Sequence, residues 1–126
     1  MQDYKELMIW KDSMLVVKEV YELTSQFPDS EKFGLVTQMR RAAISIPSNI
    51  AEGAGSISQK EFRRYLVLSI SSSNELDTQL SIAAMLHFVD ESISLNVQSK
   101  LSVIRKQTFR LIQSIESTLN NKPHLT

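Results

Sequence analysis

The stretch that decides the fold is residues 59–88, QKEFRRYLVLSISSSNELDTQLSIAAMLHF. Apolar or small residues recur in it at alternating spacings of four and three, which places them on one face of a helix. The members of this seam are Phe62, Leu66, Ser69, Ser73, Leu76, Leu80, Ala83 and His87. Ser58, followed three residues later by Glu61, is a capping-box signature at its start. The pattern predicts a long bundle helix over about 59–88.

The same periodicity extends in both directions from this seam. A helix over about 93–119 carries Val97, Leu101, Ile104, Thr108, Leu111, Ile115 and Leu119 on one face. A first helix over about 4–25 is predicted to bury Trp10, Met14, Val17, Tyr21 and Thr24. The polar connections between these segments are short, as in a helical bundle.

The remaining helix, over about 31–54, contains a proline. Its predicted core face is Leu35, Met39, Ala42, Ala43, Ile46, Ile50 and Ala54. Pro47 removes one backbone donor and crowds the carbonyl of Ala43, so either the helix kinks there or two shorter helices meet. Gly53 and Gly55 are expected to end the helix.

Four amphipathic helices with short connections predict an all-α, antiparallel up-down-up-down four-helix bundle, with the second helix kinked at Pro47. The 126 residues, 42% of them hydrophobic, suffice for a single domain spanning 1–126. Residues 121–126, which follow the last periodic segment, are expected to form a mobile tail.

Charge and composition exclude several classes of protein. Fourteen basic and fourteen acidic residues cancel, so any binding of nucleic acid must use a local patch. The absence of cysteine rules out disulfides and thiolate metal sites and is compatible with a reducing cytosol. No stretch reaches the roughly 20 apolar residues of a membrane span. We therefore expect a cytoplasmic protein.

No catalytic constellation is visible in the sequence. His87 and His124 lie far apart and belong to no metal-binding motif, and we expect His87 to be partly buried or to cap its helix. The Gly53 to Gly55 segment lacks the lysine and the preceding strand of a phosphate-binding loop. The sequence predicts no enzymatic activity, no cofactor and no metal.

The second helix has an unusual polar face, mostly of short side chains. Its members are Gln38, Arg41, Ser45, Ser48, Asn49 and Glu52. Lysine and glutamate would be expected on an ordinary solvated face. These residues either satisfy backbone groups around Pro47 or form a subunit or ligand interface. On the third helix Glu75 and Gln79 share a face, and we expect Glu75 to pair with Arg40 or Arg41.

Two local basic clusters are candidates for contact with phosphates, although a solvated helix face is the ordinary explanation of such clusters. The candidate nucleic-acid residues are Lys60, Arg63 and Arg64, then Arg105, Lys106 and Arg110, together with Arg40 and Arg41.

The segment from Gly34 to Gly53, GLVTQMRRAAISIPSNIAEG, closely resembles the signature of the four-helix bundle proteins encoded in 23S ribosomal RNA intervening sequences. The residues Trp10-Lys11, Phe27-Pro28 and Glu75 to Leu80 also look like that family's pattern, and the resemblance covers about residues 4–88. Ser69 and Ser71 stand where the family often has alanine or glycine.

The resemblance implies a ring-like homopentamer, similar to the accessory protein of diversity-generating retroelements, which binds nucleic acid. It implies no enzymatic activity. Two functions remain open at this point: a homo-oligomer that binds RNA or a nucleoprotein through its basic patches, and a protein-interaction scaffold without a nucleic-acid ligand.

Overall fold

The computed structural model describes residues 3–120, and its four long helices confirm the all-α, four-helix prediction. They are α1 (Met8–Thr24), α2 (Leu35–Ala54), α3 (Gln59–Met85) and α4 (Glu91–Asn120). Two short 3₁₀ turns, Tyr4–Glu6 and Asp29–Glu31, precede α1 and α2. No strand occurs within residues 3–120. The predicted mobile tail, 121–126, lies outside the described residues, and so does His124.

The core is built from the faces of α2, α3 and α4 that their periodicity predicts. Met39, Ile46, Leu66, Leu80 and Leu101 are among its fully buried side chains. The hydroxyl group of each buried serine in residues 3–120 donates a hydrogen bond to a backbone carbonyl. The buried Ser69 donates to Ile46 across the interface of α2 and α3, and full pairing of this kind removes most of the cost of burying a hydroxyl.

The buried face of α1 differs from the predicted one by a single position. The structure buries Ile9, Ser13, Val16, Val20, Leu23 and Thr24, whereas the predicted residues Met14 and Tyr21 are exposed. Ser13 made the true face look polar. Its hydroxyl donates to the carbonyl of Trp10 at 2.9 Å, so it can occupy the core with its hydrogen-bonding capacity used.

The end of α3 also differs from the prediction. The helix ends at Met85 because His87 adopts a positive φ of 63°. The amide of Phe88 bonds to the carbonyl of Ala83 and the amide of His87 to that of Ala84, which is the pattern of a Schellman motif. His87 is therefore an exposed turn residue, and its predicted place in the buried seam of α3 is wrong.

Pro47 lies inside α2, which runs as one helix from Leu35 to Ala54, and its side chain is buried. Gly53, which was expected to end this helix, is buried within its last turn. Its role is close packing, because Tyr65 and Phe62 of α3 occupy the space that a side chain would need. At the other end, α2 begins only at Leu35, after a separate 3₁₀ turn.

Membrane-spanning helices and clustered metal ligands are both absent from residues 3–120. None of the four helices there is long and apolar enough to cross a membrane. In that same range, no group of three or more His, Cys, Asp or Glu side chains is arranged to hold a metal ion.

Candidate nucleic-acid interface

The two basic clusters of the sequence lie on neighbouring helices that are joined by two ion pairs. Arg63 of α3 contacts Glu116 of α4, with 2.8 Å between Nε and Oε1. Arg105 of α4 contacts Asp77 of α3, with 2.8 Å between Nη2 and Oδ2. Arg63, which precedes Asp77 on α3, pairs with Glu116, which follows Arg105 on α4. These two helices therefore run in opposite directions, and the two ion pairs lie along the contact between them.

An apolar surface lies between the two ion pairs. Phe109 follows Arg105 by four residues on α4, and Val67 follows Arg63 by four residues on α3, so each points to the same side as the ion pairs. Phe109 is 52% exposed and Val67 is 43% exposed. We call this surface, Phe109 and Val67 with the two flanking ion pairs, the α3/α4 window.

Three cations of the basic clusters have no acidic partner among residues 3–120. Lys60, Lys106 and Arg110 are exposed, and none of the three has a carboxylate within ion-pair distance among residues 3–120. The other three members of the clusters, Arg63, Arg64 and Arg105, each contact one acidic side chain. Half of the six cations in the two clusters thus have no acidic partner within residues 3–120.

The pair of Arg64 with Glu61 lies at the start of α3. The guanidinium donates to the Glu61 carboxylate at 3.1 to 3.3 Å. This hydrogen bond, aided by the charges of Arg64 and Lys60, holds the pKa of Glu61 below its ordinary value of 4.5. The same contact raises the pKa of Arg64. The Glu61 carboxylate bonds to Arg64. The Ser58 hydroxyl accepts a hydrogen bond from the backbone amide of Glu61, as expected of the helix cap.

The polar face of α2 borders a groove of about 490 Å³ between α2 and α3, lined by Gln38, Arg41, Ala42, Ser45 and Glu75. Ser45 shares a 2.8 Å hydrogen bond with Ser72 of α3. Asn49 donates to both the carbonyl and the hydroxyl of Ser45. These bonds link Asn49 to Ser45 within α2 and tie Ser45 to α3. Ser48 and Glu52 point to solvent on the same side.

The expected ion pair of Glu75 is absent from the described residues. The Glu75 carboxylate accepts a long 3.5 Å hydrogen bond from Gln79 on its own helix. Arg41 lines the same groove as Glu75 but forms no ion pair within residues 3–120.

Arg40 is directed away from Glu75, toward α1. Its guanidinium lies 4.4 Å from the ring centre of Tyr21 and its Nε donates to Thr24 at 3.0 Å. These contacts hold α1 to α2 and leave Arg40 outside the basic surface of α3 and α4.

Comparison with known proteins identifies the family of the chain. The family model described as 23S rRNA-intervening sequence protein matches residues 5–110. The chain belongs to the 23S rRNA-intervening sequence protein family. The match includes α1, α2, α3 and the part of α4 that carries Arg105, Lys106, Phe109 and Arg110, and it ends before Glu116.

One solved structure shows the same fold. It is the crystal structure of a protein with unknown function from the S23 ribosomal protein family of Bacteroides thetaiotaomicron. The two chains are 18% identical and superpose with a TM-score of 0.75, over 83% of this chain and 98% of the other. No curated protein matches the chain.

Sequence reasoning missed the acidic and apolar parts of the window in this member of the 23S rRNA-intervening sequence protein family. Asp77 and Glu116 look like solvated side chains when each helix is considered alone, and Phe109 falls outside the predicted core face of α4. The signal that would have found them is the four-residue spacing from Arg63 to Val67 and from Arg105 to Phe109, read together with an antiparallel register of the two helices.

Proposed function

We propose that the chain is a non-catalytic, homo-oligomeric protein that binds RNA through the surface formed by α3 and α4. The observation that carries the proposal is the set of three exposed cations, Lys60, Lys106 and Arg110, that have no acidic partner within residues 3–120. Phosphates neutralise such cations and release counterions, which is the main source of affinity for nucleic acid. We place the protein in the cytoplasm, which accords with its lack of cysteine.

Homo-oligomerisation explains how a chain with no net charge can bind a polyanion. The local positive surface of one subunit is small, and several copies in one assembly bind one RNA with an effective concentration that a single copy lacks. The family resemblance supports a ring of five subunits. Arg63 and Arg105 contribute to the same surface but with charges already balanced by Glu116 and Asp77.

Salt-dependent RNA binding tests the proposal. We would measure the fluorescence anisotropy of a labelled 30-nucleotide RNA between 50 and 250 mM salt, with the full-length protein and with the double variant Lys106→Gln/Arg110→Gln. Removing two phosphate contacts should lower the affinity and reduce the slope of log K against log salt by about 1.4 to 1.8.

The matched control is Lys11→Gln/Lys18→Gln, which removes the same charge from exposed positions of α1. This variant should bind nearly as well as the wild type. Equal losses in the two double variants would show that only total charge matters. Absence of RNA binding by the wild type at 50 mM salt would refute the proposed function.

The groove between α1 and α4 supports the oligomeric part of the proposal. It has a volume of about 270 Å³ and is lined by the apolar Leu15, Val103 and Ile104 together with Asp12, Glu19 and Lys100. Leu15 and Val103 are 60% and 50% exposed. We expect Leu15→Glu/Val103→Glu to reduce the mass measured by light scattering to that of a monomer. Met85→Glu, at an exposed apolar residue of α3, is the control and should leave the mass unchanged.

A protein-interaction scaffold is the second candidate function, and a different groove favours it. Near the connection of α3 and α4, exposed Met85 and Leu95 line a space of about 520 Å³. Recovery of the same single protein partner after nuclease treatment, together with its loss on Met85→Glu, would support this function over RNA binding.

A further inference from the structure

We infer that the ring of Phe109 is a stacking platform for an unpaired RNA base. This inference rests on the proposed RNA-binding function and names the form of RNA that the α3/α4 window fits. It depends on three observations: the exposed ring, its position between two ion pairs, and the unpartnered cations Lys106 and Arg110 close to it in the sequence of α4.

Phe109 is an exposed aromatic residue that takes no part in the core face of α4. The core face of α4 is filled by Val97, Leu101, Ile104, Thr108, Ile112 and Ile115. Phe109 lies outside this face and is about half exposed to water. An apolar ring in this position gains free energy when a flat apolar surface covers it.

The charges around the ring select an anionic occupant. Lys106 and Arg110 lie on α4 on either side of Phe109 in sequence, and Lys60 lies on α3 beyond Arg63. A second apolar protein surface would have to bury or neutralise these cations. A nucleotide instead offers a flat base to the ring and a phosphate to the neighbouring cations, so its charge and shape match both parts of the surface.

The dimensions of the window suit a short single strand. Arg105 and Glu116 are eleven residues apart on α4, so the two ion pairs are separated by about 16 Å along the helix axis at ~1.5 Å per residue. A base within a duplex is covered on both faces by its neighbours and cannot lie on the ring. The window should therefore prefer unpaired RNA to a duplex of the same length.

The test compares two RNAs and several variants of the full-length protein. The probes are a labelled 12-nucleotide oligouridine, which has little structure of its own, and a labelled 12-base-pair RNA duplex, both at 100 mM salt. Phe109→Leu keeps an apolar side chain and removes the aromatic face. It should weaken oligouridine binding by about 10-fold, the loss expected for one stacked base, and change duplex binding by less than about 2-fold.

Two further variants separate stacking from folding. Phe109→Trp restores an aromatic face and should bind oligouridine at least as tightly as the wild type. Phe33→Leu removes another exposed phenyl ring, just before α2, and should have no effect. A loss with Phe109→Leu that Phe109→Trp does not restore would assign Phe109 a structural role and overturn the inference.

The remaining outcomes are distinct from one another. Wild-type binding that depends on Lys106 and Arg110 but not on Phe109 would leave the proposed function standing and refute the stacking platform. Equal losses for the single strand and the duplex would refute it as well. A change in light-scattering mass on Phe109→Leu would identify the window as a contact between subunits, which also overturns the inference. No binding of either RNA would refute the proposed function and the inference together.

Discussion

Gly53 of α2 packs directly against Tyr65 of α3. A methyl group on Gly53 would lie 2.8 Å from the Cβ of Tyr65 and 2.9 Å from Cδ1 of Phe62, distances that real side chains do not tolerate. The glycine thus allows α2 and α3 to approach closely at this end of the bundle.

Gly53→Ala should destabilise the protein by about 1–3 kcal/mol, because the added methyl group forces α2 and α3 apart. The measurement is urea unfolding followed by circular dichroism. Gly55→Ala is the matched control, since a methyl group there meets only ordinary contacts, the nearest at 3.4 Å. It should be neutral or slightly stabilising. Similar losses in both variants would show that the helix end, not its packing, is sensitive.

Arg40→Ala should cost about 1–2 kcal/mol of stability. The substitution removes the cation–π contact with Tyr21 and the hydrogen bond to Thr24 that tie α2 to the last turn of α1. Arg41→Ala, at the adjacent exposed position, should change stability by less than about 0.5 kcal/mol. Thermal unfolding of both variants would check the difference, and an equal effect at the two positions would contradict it.

His87→Gly should raise stability by about 0.5–1 kcal/mol. The positive φ of His87 is unfavourable for a residue with a Cβ and is natural for glycine at the end of a helix. His87→Val places a β-branched side chain in the same conformation and should lower the melting temperature instead. A destabilised glycine variant would mean that the imidazole makes a contact that outweighs the strain of its backbone.

The carboxyl group of Glu61 should titrate at a lower pH than an ordinary glutamate, since its pKa is depressed mainly by the hydrogen bond from Arg64. A depressed folded-state pKa means that the pair stabilises the fold above the ordinary pKa of 4.5 and ceases to do so as pH falls through the depressed value. Carboxyl chemical shifts measured by NMR against pH would show the midpoint. Arg64→Gln should move it back toward 4.5, and an unchanged midpoint would refute the assignment.

The parts of the fold that depend on apolar periodicity could be predicted from the sequence. The seams of α2, α3 and α4 consist largely of buried aliphatic residues, so their spacing alone identifies them. The face of α1 could not be placed correctly, because Ser13 satisfies its hydroxyl within the helix and occupies a core position that its polarity conceals. The end of α3 was missed because histidine, although enriched among non-glycine residues with positive φ, is a far weaker signal for a helix end than glycine.

The candidate interface could be predicted only in part from the sequence, for a related reason. Its cations could be found from their clustering, but whether each is neutralised depends on the register between α3 and α4. That register places Asp77 beside Arg105 and Glu116 beside Arg63. It also decides that Phe109 falls between the two pairs, which no property of α4 by itself predicts.

The ion pairs are unevenly distributed among the helices, so a change in ionic strength should affect the stability of some helices more than others. Of the four pairs within residues 3–120, three attach α4 to its neighbours, joining Lys100 to Glu19, Arg105 to Asp77 and Arg63 to Glu116, and none includes a residue of α2. Screening weakens exposed pairs but leaves apolar packing largely intact. Molar salt should therefore speed amide hydrogen exchange in α4 relative to α2. The helix that carries Phe109 is thus also the helix whose attachment to the bundle depends most on ionic strength.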